Sequence, residues 1–384
     1  MRVSRHWQCA ILRWHTPILV SKVTAAGVKL AALLCCLLMA FSQRLIAWQR
    51  QHGRHHLPWQ VTRDPYTVWL SEIMLQQTQV ATVIPYFERF VSCFPTLHHL
   101  AHAQLDEVLQ LWSGLGYYSR ARNLHRAAQI VLREFNGVFP SDPIQLVQLP
   151  GVGRSTAAAI GAFCFGGKLA ILDGNVKRVL ARHQGIQGWP GERKIEQAMW
   201  ALAESLLPDR HIETYTQALM DVGATVCTRS RPLCQQCPLA LDCVAKLTNQ
   251  TARLPTPRPR QVVPEMFLWF IVYLTQDKVW LTRRPISGIW GGLWGFEQHD
   301  TLPDPAQCVR ELWGHDGVSI RQGALFSHAL THRLLRITPI FVHLQHVIQD
   351  AGGGGWWATP LQALAVGIPV PVRRVLQEMH RGID

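Results

Sequence analysis

Residues 149–156 read Leu-Pro-Gly-Val-Gly-Arg-Ser-Thr and run directly into the small-residue segment Ala157–Ala162. Pro150, Gly151 and Gly153 predict a tight hairpin between two helices, and glycine lets backbone approach a ligand that a Cβ would hold off. The helix that follows offers unpaired N–H groups and a positive dipole end, which suits a phosphate. No acidic residue lies between Gly151 and Gly161 to repel one. Gly-x-Gly also serves simply to turn a helical corner, so the glycines alone leave both readings open. Eighteen residues past Ser155, a lone acid stands in Leu172-Asp173-Gly174-Asn175-Val176.

The 384 residues are enough for two domains, each with its own core. Lys plus Arg number 38 against 25 Asp plus Glu, a net charge of +13 that favours a polyanionic partner over a merely basic surface. Only 16% of residues are charged while 48% are hydrophobic, which excludes a disordered basic tail. Leu30–Phe41 is an apolar run behind Arg2, Arg5, Arg13, Lys22 and Lys29; it resembles a signal-peptide core but is too short to span a bilayer. Residues 1–38 are expected to be an upstream extension, or disordered, with Met39 as the biological start.

Six of the ten cysteines (Cys9, Cys35, Cys36, Cys93, Cys164 and Cys308) are scattered among apolar residues, which fits a reducing compartment. The other four, Cys227, Cys234, Cys237 and Cys243, form C-x6-C-x2-C-x5-C. Four thiolates in one short loop suit an iron–sulfur cluster better than zinc, which commonly takes two Cys-x2-Cys pairs. Arg229, Arg231 and Lys246 beside them would meet phosphates or balance the charge of the cluster.

Helical patterns broken by Pro and Gly run from about 42 to 247, and residues 249–264 form a Pro/Arg-rich linker expected to be extended. Strand patterns follow at Met266–Leu274, Val279–Arg283 and Leu335–Leu344, with Gly352–Gly355 as a loop. The expected domains are therefore a helical one over 39–248, with the cysteine loop at 227–243, and a smaller α+β one over 265–384.

Residues 64–83 read as one long helix carrying Glu72, Gln76 and Gln79 on one face, a stripe able to line a cleft that reads a base edge. By itself Glu72 reads more readily as a solvated helix residue. Gly114-Leu-Gly-Tyr-Tyr-Ser-Arg-Ala-Arg122 predicts a second glycine turn. Tyr117 and Tyr118 would wedge into a duplex or pack in the core, and Arg120 and Arg122 would meet phosphates or solvent.

Together, the Gly hairpin, the acid beyond it and the cysteine spacing resemble the helix-hairpin-helix DNA glycosylases with an iron–sulfur loop. Segments 69–79, 114–118, 149–157 and 171–179 resemble the adenine DNA glycosylase (MutY-type) branch of that endonuclease III-like superfamily. The resemblance implies a mainly α glycosylase core with one [4Fe-4S] cluster on Cys227, Cys234, Cys237 and Cys243, and a C-terminal α+β Nudix-like domain. It implies a monomer in the bacterial cytoplasm, bound to nucleoid DNA and to no membrane. The implied activity is hydrolytic removal of adenine opposite 8-oxoguanine or guanine, after flipping the nucleotide from the duplex. Glu72 falls at the general acid and Asp173 at the carboxylate, expected to stay ionised, that stabilises the sugar cation.

Gln77 and Tyr117 match positions that fill or wedge the helix, and Gly151, Gly153, Arg154, Ser155 and Asn175 belong to the implied DNA contact. Related bifunctional enzymes carry a lysine at position 155; a serine cannot form an imine, so strand scission is not expected. The competing readings are an endonuclease III-like lyase and a non-catalytic damage-binding protein.

In the C-terminal region the paired glutamates of a working Nudix box fall at Gly314 and His315, so phosphohydrolase activity is not expected. Phe326-Ser-His-Ala-Leu-Thr-His332 resembles a lesion-reading loop. Aligned on Leu335-Arg-Ile-Thr-Pro339, its reading hydroxyl is Thr331, flanked by His328 and His332; the other register uses Ser327.

Overall fold

The computed structural model describes residues 40–259, 262–314, 318–345 and 354–381; the extension and the start at Met39 lie outside them. Among the described residues, twelve α-helices build the first domain as far as residue 247. They are α1 Phe41–His52, α2 Pro65–Leu75, α3 Val80–Cys93, α4 Leu97–His102, α5 Leu105–Leu111 and α6 Ser119–Glu134. Next come α7 Pro143–Gln148, α8 Arg154–Phe165, α9 Gly174–Gln184, α10 Arg193–Ser205, α11 Ile212–Asp221 and, after the cysteines, α12 Val244–Leu247.

These helices enclose two cores. One holds Trp69, Ile73, Phe90, Trp112, Leu124 and Leu146; the other holds Phe41, Leu45, Leu180, Tyr215 and Leu219. The alanines of α8 belong to both: Ala157 lies in the first core, and Ala158, Ala159 and Ala162 lie in the second. A helix clad in methyl groups lets its neighbours approach closely from both sides. That explains the small-residue run.

The expected single helix over 64–83 is broken. Asp64 caps α2 by accepting the Thr67 N–H, Pro65 opens it, and the chain turns at 76–79 before α3 begins. Gln77 sits in the left-handed region at φ 59°, a conformation a helix cannot continue through. The Glu72/Gln76/Gln79 stripe therefore does not exist as one face. Gln76 instead donates its amide to the Gly151 carbonyl at 3.2 Å and reaches Thr156 at 3.4 Å, tying this turn to the hairpin.

The C-terminal domain is a mixed sheet with helices on both faces. Its strands are β1 Glu265–Thr275, β2 Lys278–Arg283, β3 Trp294–Gly295, β4 Glu297–His299, β5 Val318–Gln322, β6 Phe326–Ala329, β7 Leu334–Leu344 and β8 Gly355–Ala358. Its helices are α13 Pro305–Trp313, α14 Pro360–Leu364 and α15 Val370–Arg381. The main path is β3-β2-β1-β7-β5, and β1 and β7 pair in parallel from Glu265 opposite Leu334 to Leu274 opposite His343. Both faces of β1 are buried, one with Val372 and Leu376 of α15 and the other with Val309 and Trp313 of α13. This two-sided burial produces the near-continuous apolar run of β1.

Two loop readings change. Gly355 is not in a loop but opens β8 against β2, and Phe326–Ala329 is a strand whose hairpin tip, residues 330–333, is closed by the Leu330 N–H on the Arg333 carbonyl at 2.8 Å. The linker segment 249–259 is anchored: the Leu254 carbonyl accepts from Arg182 at 2.8 Å, and Thr256 accepts the Gly188 N–H at 3.1 Å.

The domains join directly. Arg122 donates to the Gly291 carbonyl at 2.6 Å, Arg283 pairs with Asp106 at 2.6 Å, and Tyr118, buried, donates to the Ile368 carbonyl at 3.3 Å. Leu293 of the second domain enters the first core. Tyr118 and Arg122 thus serve the interface between the domains. Among the described residues, no helix is long and apolar enough to cross a membrane.

Candidate active site

The two cores meet at a pocket of about 250 Å³ whose wall includes Glu72, Ser71, Arg54, Trp59, Glu213, Gln217 and Met220. Glu72 shows part of its surface to this pocket and is otherwise enclosed by protein. Burial, reinforced by the nearby charge of Asp173, pushes its carboxyl up to about 8. It is therefore largely protonated at neutral pH. Asp173 comes from the other core as the N-cap of α9, where it accepts the Val176 N–H at 2.8 Å. Burial raises its pKa too, opposed by the helix-start N–H groups of Val176 and Asn175 and by the charges of Arg178 and Lys177. The two acids thus sit in contrasting surroundings, one largely enclosed on a pocket wall and one held by a helix terminus and nearby cations.

Three pocket residues escaped the sequence reading. Arg54 is fixed by Asp221, which is fully buried, accepts the Arg54 backbone N–H at 2.8 Å and its Nε at 2.7 Å, and also accepts from Gln217 at 2.9 Å. Glu213 and Gln217 are i, i+4 neighbours on α11, a spacing that carries no chemical signature until the fold turns that face to Glu72.

Gly151 has φ +82°, and a Cβ there would stand 3.1 Å from Asn123, so the fold itself requires this glycine. Gly153 has an extended backbone and a Cβ would meet nothing within 4 Å. Packing does not require this glycine, and its bare backbone leaves the N–H groups at the start of α8 open to approach. Ser155 points inward and its hydroxyl accepts the Leu172 N–H at 3.0 Å, fastening α8 to the segment that carries Asp173. Arg154 lies over Trp200 at 3.9 Å and pairs with Glu204, on the flank of the hairpin. Asn175 accepts from Arg178 at 2.7 Å. None of these last three contacts points at a phosphate.

Gln77 and Tyr117 are both exposed and both left-handed, at φ 59° and 50°. Such non-glycine strain costs on the order of 1 kcal/mol each and collects at functional sites. Arg120 holds both turns. Buried, it donates to the carbonyls of Ile73, Met74 and Gln76 at 2.7–3.0 Å, to Thr78 at 3.1 Å, and to Leu115 and Gly116 at 3.2–3.4 Å. It is a backbone clamp and not a phosphate contact.

Tyr117 also reaches the second domain, its hydroxyl 3.0 Å from that of Thr331 at the β6–β7 tip. His332 is exposed at that tip, and His328 lies in β6 with its ring 6.0 Å from Trp290. Ser327 is turned elsewhere, accepting from Arg336 at 2.7 Å. His315 falls outside the described residues.

Cys227, Cys234, Cys237 and Cys243 line one void with Arg182 and His183. Arg182 approaches the Cys227 Sγ at 3.4 Å and donates to the Thr228 and Arg229 carbonyls at 2.7 and 3.0 Å. Burial with the neighbouring sulfurs pushes the Cys237 thiol up to about 12. No described cysteine forms a disulfide. The donor set is all-sulfur and preassembled, and it fits an iron–sulfur cluster.

Residues 70–205 match the HhH-GPD superfamily of base excision DNA repair proteins, and residues 268–378 match the NUDIX domain. Adenine DNA glycosylase of Buchnera aphidicola (subsp. Acyrthosiphon pisum) is 36% identical over 345 residues, covering 89% of this chain and 98% of the relative. The human adenine DNA glycosylase is 46% identical over 216 residues, 54% of this chain and 39% of the relative. A thermostable thymine-DNA glycosylase structure superposes with TM-score 0.50 at 27% identity, over 57% of this chain and 99% of the other. The Buchnera match runs through the Glu72 pocket, the hairpin, the cysteine loop and the second domain alike, and on that extent the chain belongs to the adenine DNA glycosylase family.

Proposed function

We infer that this chain flips adenine out of duplex DNA where it faces 8-oxoguanine or guanine, and hydrolyses its glycosidic bond to leave an abasic site. The observation that carries the reading is the largely enclosed, protonated Glu72 on the wall of a base-sized pocket, with Asp173 near enough for its charge to act on that carboxyl. Glu72 delivers its proton to a ring nitrogen of adenine, most simply N7, so the base departs neutral; its carboxylate then orients water. Asp173, where ionised, stabilises the positive charge growing on the deoxyribose. Arg54, Glu213 and Gln217 supply polar edges for the base. One [4Fe-4S] cluster on Cys227, Cys234, Cys237 and Cys243 would brace the loop that carries Arg229 and Arg231, and no reaction step passes through it. The chain acts as a monomer of a 39–248 catalytic domain and a 265–384 lesion-reading domain.

The inward hydroxyl of Ser155 supports a monofunctional reaction. In single turnover, A:8-oxoguanine and A:G duplexes are expected to yield strand breaks only after alkali, with thymine-glycol duplexes untouched. Borohydride is expected to trap no covalent adduct. Efficient trapping, or alkali-independent breaks, would refute this reading.

Thr331 faces Tyr117, and Ser327 faces Arg336, which supports Thr331 as the hydroxyl that reads the opposite base. Thr331→Ala is expected to cut the preference for 8-oxoguanine over guanine about fivefold, the worth of one hydrogen bond. Ser327→Ala is expected to leave it unchanged, and the reverse outcome would assign the other register.

A further inference from the structure

We propose that Glu297, His299 and Cys308 form a zinc site in the C-terminal domain, pinning β4 to α13. The carboxylate, imidazole and thiol donor atoms all lie within 4.8 Å of one another. Three features of the chain bring them there. Glu297 and His299 are two apart on β4, so strand alternation puts both on one side of the sheet. Cys308 sits in the first turn of α13, which covers that side through Val309 and Trp313. Tyr273, fully buried on the neighbouring β1, donates its hydroxyl to Glu297 Oε2 at 2.7 Å and so orients the carboxylate from behind. A hydrogen bond from an outer residue to a ligating carboxylate is the usual support of a metal site.

Glu297 Oε1 and His299 Nε2 stand 2.7 Å apart and share a proton in this arrangement. A cation takes the place of that proton. Donors bound at about 2.0–2.3 Å to a tetrahedral zinc lie roughly 3.5 Å from one another, so the site closes by at most about 1.3 Å at its widest and opens by about 0.8 Å at the pair. Sulfur, nitrogen and oxygen in one set select zinc over magnesium or calcium, so this is not a relic of a magnesium phosphohydrolase box. Three protein ligands leave one position for water.

The test uses the full-length, iron-loaded protein, equilibrated with zinc chloride, desalted and analysed for zinc and iron. About one zinc per chain is expected, with iron unchanged. Cys308→Ala and His299→Gln should each lose most of the zinc and keep the iron. Loading with cobalt(II) should give a thiolate-to-cobalt charge-transfer band that Cys308→Ala lacks. Should a variant fold poorly, wild-type protein still decides the matter by its zinc-dependent rise in Tm and by protection of Cys308 from alkylation, located by mass spectrometry. No zinc bound, no protection of Cys308, or zinc retained by both variants would overturn the proposal; displacement of iron by zinc would assign the metal to the cysteine loop instead.

Discussion

Glu72→Gln is expected to lower single-turnover adenine excision by about 10²–10⁴-fold while leaving duplex binding within a few fold, because it keeps the shape and removes the transferable proton. The pH behaviour separates this role from a merely structural one. With the carboxyl at about 8, the acid form prevails through neutral pH, and the wild-type rate should fall roughly tenfold per unit above that value. The residual rate of the variant should show no such alkaline fall. Stability moves the other way. A carboxyl whose folded pKa exceeds its unfolded value stabilises the fold fully below the unfolded pKa, near 4.3, and that contribution is lost as pH rises through about 8. Glu72→Gln should therefore raise Tm at pH 8.5, with a gain on the order of a few kcal/mol. An unchanged rate, or a Glu72→Gln variant less stable than wild type at pH 8.5, would remove Glu72 from the chemistry.

Arg120→Met should cost on the order of 3–5 kcal/mol, a drop in Tm of roughly 10 °C. The guanidinium serves five backbone carbonyls and one hydroxyl, drawn from the 73–78 turn and the 115–116 turn together. Its loss leaves buried acceptors without a donor and frees Gln77 and Tyr117 to leave their strained conformations. Arg120→Lys should fare little better, since one ammonium cannot span that arc of acceptors. Affinity for duplex DNA should fall in both variants. A loss of stability below about 1 kcal/mol would mean that the turns hold themselves.

The hairpin, Asp173 and the four cysteines were legible because each needs a special residue at a fixed spacing. The strands at β1, β2 and β7 were legible because apolar runs buried on two faces leave a strong pattern; β4 and β5 are short and partly exposed, and left none. The break at residues 76–79 was invisible for a physical reason. Gln-Gln-Thr-Gln contains neither glycine nor proline, and the carbonyls released where the helix stops are met by Arg120, over forty residues away. For the same reason Arg120 and Arg122 read as surface cations, since no local pattern distinguishes an arginine that serves carbonyls from one that meets phosphate. Arg54, Glu213 and Gln217 stayed hidden because they come from separate parts of the chain and share only the pocket.

The alanine-clad α8 acts as a gauge block. Glu72 is carried by one core and Asp173 by the other, and the thickness of this one helix sets how far apart the two cores stand. The spacing of the two carboxylates is therefore set in part by the methyl groups of this helix, the smallest side chains a chiral residue can carry.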